Sequence, residues 1–132
     1  GIIAADDTRK PKAPGMKYKH YAPKADMAIV DGTRKHVIAK INELVASHRD
    51  DGKKIAVIAT EETKQFYDAD VVLSMGSRAD EDSIAHELYR ILRDCDELDV
   101  DVIFSESFST PRIGQAIMNR MLKAAGYHLI TL

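Results

Sequence analysis

The densest concentration of chemically capable side chains lies near the start of the chain, in Pro14-Gly15-Met16-Lys17-Tyr18-Lys19-His20-Tyr21-Ala22-Pro23. Lysines, tyrosines and a histidine stand there between prolines and a glycine. Proline removes a backbone donor and biases the residue before it toward extended structure. A stiff extended segment bearing ammonium groups and phenols suits an anionic, ring-bearing ligand. The cations meet phosphate, and the tyrosines stack or donate. The competing reading is a tether that binds nothing, although a plain linker is Gly/Ser-rich or Pro/charge-rich and has little use for two tyrosines.

Three further places hold polar groups at the ends of apolar runs. Ser74-Met75-Gly76-Ser77-Arg78 offers backbone donors and a guanidinium to an anion, or is simply a strand-to-helix turn. Ser105–Thr110 is rich in hydroxyls just before a helix start, where capping explains them as well as a ligand does. Asn119-Arg120 lies in the last helical pattern, with Arg120 expected on the same side as Ile113, Ala116 and Ile117. A buried arginine needs a carboxylate or carbonyl partner. Ser74, Gly76, Ser77, Asn119 and Arg120 are therefore candidates for a ligand-binding or domain-packing edge.

Other chemistries find no support. There is no Walker A and no Gly-x-Gly-x-x-Gly. None of the histidines (His20, His36, His48, His86, His128) pairs at i,i+4 with a carboxylate nearby, so no metal site is expected. The single cysteine, Cys95, sits in Asp94-Cys95-Asp96-Glu97, where carboxylates disfavour the thiolate, and it falls on an apolar stripe. No Ser/His/Asp arrangement and no spaced acid–base pair stands out.

The elements that must position these groups begin near residue 25. The 132 residues carry 19 Lys and Arg against 21 Asp and Glu, a net charge of -2. This is one domain's worth of ordinary globular composition, without the basic field that DNA binding calls for. One cysteine excludes a disulfide framework, no apolar run reaches the length of a membrane span, and the first residues lack a signal peptide's pattern. A cytoplasmic setting is expected. The near-neutral total conceals an asymmetry. Residues 1–24 hold six Lys and Arg against Asp6 and Asp7, and three of the 4 prolines. They are expected to form an extended leader with little apolar surface to dock, mobile without a partner domain. Residues 25–132 form the domain.

Within it, apolar runs alternate with helical periodicity. Strands are expected at Met27–Val30, Lys54–Ala59, Val71–Leu73, Val100–Phe104 and, from its alternation, Tyr127–Leu132. Val37, Ile38, Ile41, Leu44 and Val45 mark one helix, capped by Thr33 or Asp31. A short helix is expected over Glu61–Tyr67. Ile84, Leu88, Ile91, Leu92 and Cys95 mark another, with Asp80, Glu81 and Asp82 at its positive end. Thr110-Pro111 opens the last helix and Gly126 ends it. Strands joined by helices imply a three-layer αβα, Rossmann-like sandwich with a mostly parallel sheet of about five strands. Ligands in such folds sit beyond the C-terminal strand ends.

Pro14–Pro23 closely resembles the linker of two-domain L-threonylcarbamoyl-AMP synthases, which carry a YrdC-like catalytic domain, that linker and a C-terminal α/β domain. Lys19 stands where the family usually has Arg. The resemblance continues through Leu73-Ser74-Met75-Gly76-Ser77, Ile84-Ala85-His86-Glu87-Leu88-Tyr89, Leu92-Arg93-Asp94 and Ile113–Ala125, with Arg112 where the family often has glycine. It implies an enzyme that makes threonylcarbamoyl-AMP and pyrophosphate from ATP, L-threonine and bicarbonate, with ATP and Mg as its cofactors, for threonylcarbamoyladenosine modification of tRNA. The catalytic residues would lie in the YrdC-like domain, so this chain would be a C-terminal piece that needs no cofactor of its own and does not catalyse the reaction alone. Its partners would be that domain and, downstream, a tRNA-modifying transferase complex. Lys17, Tyr18, Lys19, His20 and Tyr21 would bind substrate by lying over the neighbouring active site. A free-standing Rossmann-like module that binds a nucleotide or a protein stays open beside it. A phospho-receiver, for which Asp31 is the sole and poor acceptor, is a more distant possibility.

Overall fold

The structure is a computed structural model and describes residues 21–108 and 114–132. The expectations for Lys17, Tyr18, Lys19 and His20, for a mobile leader, and for a Thr110-Pro111 helix start therefore lie outside the described residues. Five strands form one sheet: β1 (Asp26–Asp31), β2 (Ile55–Ala59), β3 (Val71–Ser74), β4 (Val102–Glu106) and β5 (Leu129–Thr131). Their order is β3-β2-β4-β1-β5, and every pairing is parallel. Three helices connect them: α1 (Arg34–Asp50), α2 (Glu81–Glu97) and α3 (Gly114–Ala124), with a 3-10 turn at Lys64–Phe66 where a short helix was expected.

Handedness explains the layers. The β1-to-β2 connection runs one way across the sheet, and the β3-to-β4 and β4-to-β5 connections run the other way. Right-handed crossovers in opposite directions place their helices on opposite faces. Two cores result, and strand alternation sorts residues between them. Ala28, Val30, Val57, Val102 and Phe104 pack with Val37, Ile41 and Val45 of α1. Met27, Ile29, Ile58 and Ile103 pack with Ile84, Leu88, Ile91 and Cys95 of α2 and with Ile117 and Met121 of α3. Strands covered on both faces read as continuous apolar runs, as β2 does.

The helix ends differ. Asp80 caps α2 by accepting from the Ser83 backbone N–H, with Glu81 and Asp82 in the first turn. Thr33 stands at the N-cap position of α1, yet its hydroxyl meets His36 Nδ1 at 2.9 Å and caps no backbone donor. Neither Thr33 nor Asp31 is the expected side-chain cap. Gly126, at φ 59, lets the chain turn out of α3, and the Tyr127 N–H closes the end on the Leu122 carbonyl at 2.7 Å.

Tyr21, the last residue of the Lys/Tyr cluster, packs against the α2–α3 side of the core. Its hydroxyl donates to Asp96 Oδ2, and its ring meets Tyr89 edge-on with centroids 5.0 Å apart. The Lys24 N–H donates to the other Asp96 oxygen at 2.8 Å. The segment entering β1 is thus fastened to the C-terminal end of α2. Among the described residues no helix is long and apolar enough to cross a membrane.

Candidate functional site

The polar chemistry gathers at the C-terminal edge of the sheet, around a carboxylate. β4 continues two residues beyond Phe104, so the alternation that turns Val102 and Phe104 toward α1 turns Glu106 the same way. Glu106 is 3% exposed. A buried carboxylate needs donors, and three reach it. Thr63 and Tyr67 hydroxyls both donate to Oε2 at 2.6 Å, and Arg78 Nη2 donates to Oε1 at 2.9 Å. A threonine hydroxyl has one hydrogen. Because that of Thr63 goes to Glu106, the Thr60 hydroxyl, 2.9 Å away, must donate to Thr63. Burial, reinforced by the hydrogen bond to Glu106, pushes the Tyr67 phenol well above its ordinary range and keeps it a donor.

Arg78 is clamped in turn. Its Nη2 also donates to the Ser107 carbonyl at 3.0 Å, and its guanidinium lies 4.6 Å from the centre of the Phe108 ring. The loop that carries it, between β3 and α2, is tied to Glu62. One oxygen of Glu62 accepts from the Ser77 hydroxyl at 2.6 Å and the other from the Arg78 N–H at 3.0 Å. These bonds, Ser77 first, hold the Glu62 carboxyl below the usual range. Across the sheet, Ser107 donates to Asp31 Oδ1 at 2.6 Å and joins the ends of β4 and β1.

Between those ends lies a pocket of about 270 Å³ lined by Asp31, Gly32, Arg34, Val37, Thr63, Arg78, Glu106 and Ser107. β1 leaves toward α1 on one face, and β4 leaves toward α3 on the other. Such a divergence opens a crevice at the carboxyl ends of parallel strands, the usual ligand position in this architecture.

The sequence candidates fall partly here. Ser74, Gly76 and Ser77 lie at this edge, but they make the turn. Ser74 Oγ accepts from the Gly76 N–H at 3.0 Å, and the Gly76 carbonyl accepts from the Glu61 N–H at 3.0 Å. Gly76 has φ 110, and an added Cβ would stand 2.9 Å from Ser83 Oγ. Asn119 and Arg120 are exposed, midway along α3, and are not brought to the edge. The buried stripe of α3 is Gly114, Ile117, Met121 and Ala124. Arg120, three residues after Ile117, falls off the stripe that Met121, four after it, continues; Ala116 is exposed as well. Sequence reasoning missed Glu106, Thr63, Tyr67 and Arg34. For Glu106 a signal existed, in the period-2 pattern carried past Phe104. Cys95 is fully buried, and burial with Asp96 and Asp94 nearby pushes its thiol up to about 12. Among the described residues no group of His, Cys, Asp and Glu could hold a metal ion.

The profile of the threonylcarbamoyl-AMP synthase C-terminal domain matches residues 2–126. This chain belongs to that family. Threonylcarbamoyl-AMP synthase of Pyrococcus abyssi is 45% identical over 119 residues, which is 90% of this chain and 33% of that protein. The Bacillus subtilis synthase is 44% identical over 126 residues, 96% of this chain and 35% of its own. The chain thus spans about a third of the length of the relatives it matches, and in those synthases the C-terminal domain is joined to an N-terminal catalytic domain. Among solved structures, P. abyssi Sua5 complexed with L-threonine superposes with a TM-score of 0.76 at 40% identity, covering 98% of this chain and 36% of that one. The C-terminal Sua5 domain of Pyrococcus horikoshii, solved by itself, gives 0.68 at 35% identity, covering 84% of this chain and 100% of that one. The αβα sheet described above is therefore that of the threonylcarbamoyl-AMP synthase C-terminal domain.

Proposed function

We propose that this chain is the accessory C-terminal domain and linker of an L-threonylcarbamoyl-AMP synthase that acts in threonylcarbamoyladenosine modification of tRNA in the cytoplasm. The observation that carries the reading is the family match, which begins at residue 2 and so includes the Lys/Tyr cluster, in a chain spanning a third of its relatives. ATP with Mg, L-threonine and bicarbonate bind in the N-terminal domain, where an adenylyl group passes to the threonylcarbamate and pyrophosphate leaves. A tRNA-modifying transferase receives the product. The chain by itself does not perform the reaction.

Lys17, Tyr18, Lys19 and His20 lie over that active site, whereas Tyr21, expected there as well, is held against this domain by Asp96 and Tyr89 and fixes the end of the segment. The lysines offset phosphate or carbonate charge, and the Tyr18 phenol donates a hydrogen bond and helps keep water from a labile mixed anhydride. The fastening of Tyr21 to Asp96 and Tyr89 supports this: a flap is effective only if one end is fixed. The same contacts give this domain its part, a rigid anchor for the linker. In a full-length synthase containing this domain, Tyr18→Phe and Lys19→Ala are each expected to slow ATP- and threonine-dependent pyrophosphate release about tenfold or more. Release at the wild-type rate in both variants would remove the linker from the active site.

A further inference from the structure

We propose that the pocket between the ends of β1 and β4 binds a small organic oxyanion, a phosphate monoester or a carboxylate, that also presents a hydroxyl or ammonium group.

The inventory of lining groups leads to this ligand. Both oxygens of Glu106 are occupied by Thr63, Tyr67 and Arg78, so this carboxylate is a fixture of the wall. Arg78 is different. Its Nη2 is taken by Glu106 and the Ser107 carbonyl, while Nε and Nη1 make no hydrogen bond to any described residue. Its side chain is 32% exposed and lines the pocket. A guanidinium held by a carboxylate, a carbonyl and an aromatic face has already lost its rotamer freedom. Its remaining N–H groups form a planar fork suited to two oxygens of one anion.

Arg34 adds a second cation from another element. It lines the same pocket, is exposed, and makes no hydrogen bond or ion pair with a described residue. It opens a helix whose first turn, Arg34-Lys35-His36, contains no acid and no side-chain cap. Cations at the positive end of a helix are unfavourable unless something negative is near. An anion between Arg34 and Arg78 supplies it.

On the opposite side, Asp31 Oδ1 accepts from Ser107, and Oδ2 has no partner among the described residues. It is an acceptor for a hydroxyl or an ammonium group. The volume, about 270 Å³, falls just below the roughly 300–1,000 Å³ of pockets that take drug-sized molecules, so the ligand is small. The proposal is independent of the linker reading: its residues and its readout are different.

The test is calorimetric titration of this chain with inorganic phosphate, AMP and L-threonine, with amide NMR spectra recorded alongside. The homologous P. horikoshii domain, solved alone, shows that the unit folds without the rest of the enzyme. Heat with AMP or phosphate assigns a phosphate monoester, and heat with threonine assigns a carboxylate. In either case the Gly32, Arg34 and Ser107 amides are expected to shift. Arg34→Ala removes an exposed side chain and leaves the fold alone, and Arg78→Lys keeps the charge but loses the fork. Each is expected to weaken binding about tenfold, while Arg93→Ala, on α2, leaves it unchanged. No heat and no shift with any of the three probes up to about 10 mM, or binding indifferent to Arg34→Ala, would overturn the proposal.

Discussion

Glu106 shows how one residue organises an edge. Its three donors come from the β2–β3 and β3–α2 connections, so a single carboxylate holds two loops against β4. Replacing it leaves the buried Tyr67 and Thr63 hydroxyls without their acceptor and Arg78 with only the Ser107 carbonyl. Glu106→Ala is therefore expected to lower stability by about 3–5 kcal/mol, and Tyr67→Phe by about 1–3 kcal/mol, both read from urea unfolding. A Glu106→Ala loss within error of zero would mean that the network adds nothing. The Tyr67 value is raised in the folded state, so its contribution is present below the ordinary phenol value of 10.0 and fades as pH climbs past it. In the sequence these residues looked unrelated. Thr63, Tyr67, Arg78 and Glu106 are brought together only by the parallel register: the period-2 pattern turns Glu106 inward, but no local spacing announces that the four meet. Arg120 failed for the opposite reason: its local phase suggested burial, and one residue of helical phase, about 100°, put it in solvent.

Elements were far more legible, because burial imposes a period. All five strands appear within two residues of where the sequence patterns place them, and α2 is marked by both its stripe and its acidic start. The fourth strand is the instructive shift. Val100 is buried and apolar but precedes β4, which starts at Val102 and runs to a charged end. Apolarity marks burial, not hydrogen-bonded pairing, so the window slid toward the apolar side and Glu106 was lost from it. The start of α1 carries an element-level prediction. With Arg34, Lys35 and His36 at the positive end and no capping side chain, Lys35→Glu is expected to raise stability by about 0.3–1 kcal/mol. The measurement is thermal unfolding at low salt. Stability that falls instead would show that the first turn does not feel the helix dipole.

At the scale of the whole molecule, two ends of the sandwich have separate tasks. At the C-terminal strand ends, crossovers of opposite sense open the pocket beside Arg78 and Arg34. At the far end of α2, Asp96 fastens the incoming chain through Tyr21 and Lys24. The charge asymmetry of the sequence fits this division. A leader of net +4 precedes a domain of net -6, and in the proposed function the cationic part is the one that meets the anionic substrates. Composition alone shows where charge is concentrated but not which surface it meets, so the role proposed for the linker rests on the family resemblance and not on the charges. The central claim is that linker and domain serve a catalytic domain joined to them. It is tested most directly by pyrophosphate release from a full-length synthase against the same enzyme cut before Pro14, with ATP binding verified in both. The account predicts that the cut enzyme still binds ATP yet releases pyrophosphate about tenfold more slowly or worse. An unchanged rate would contradict it.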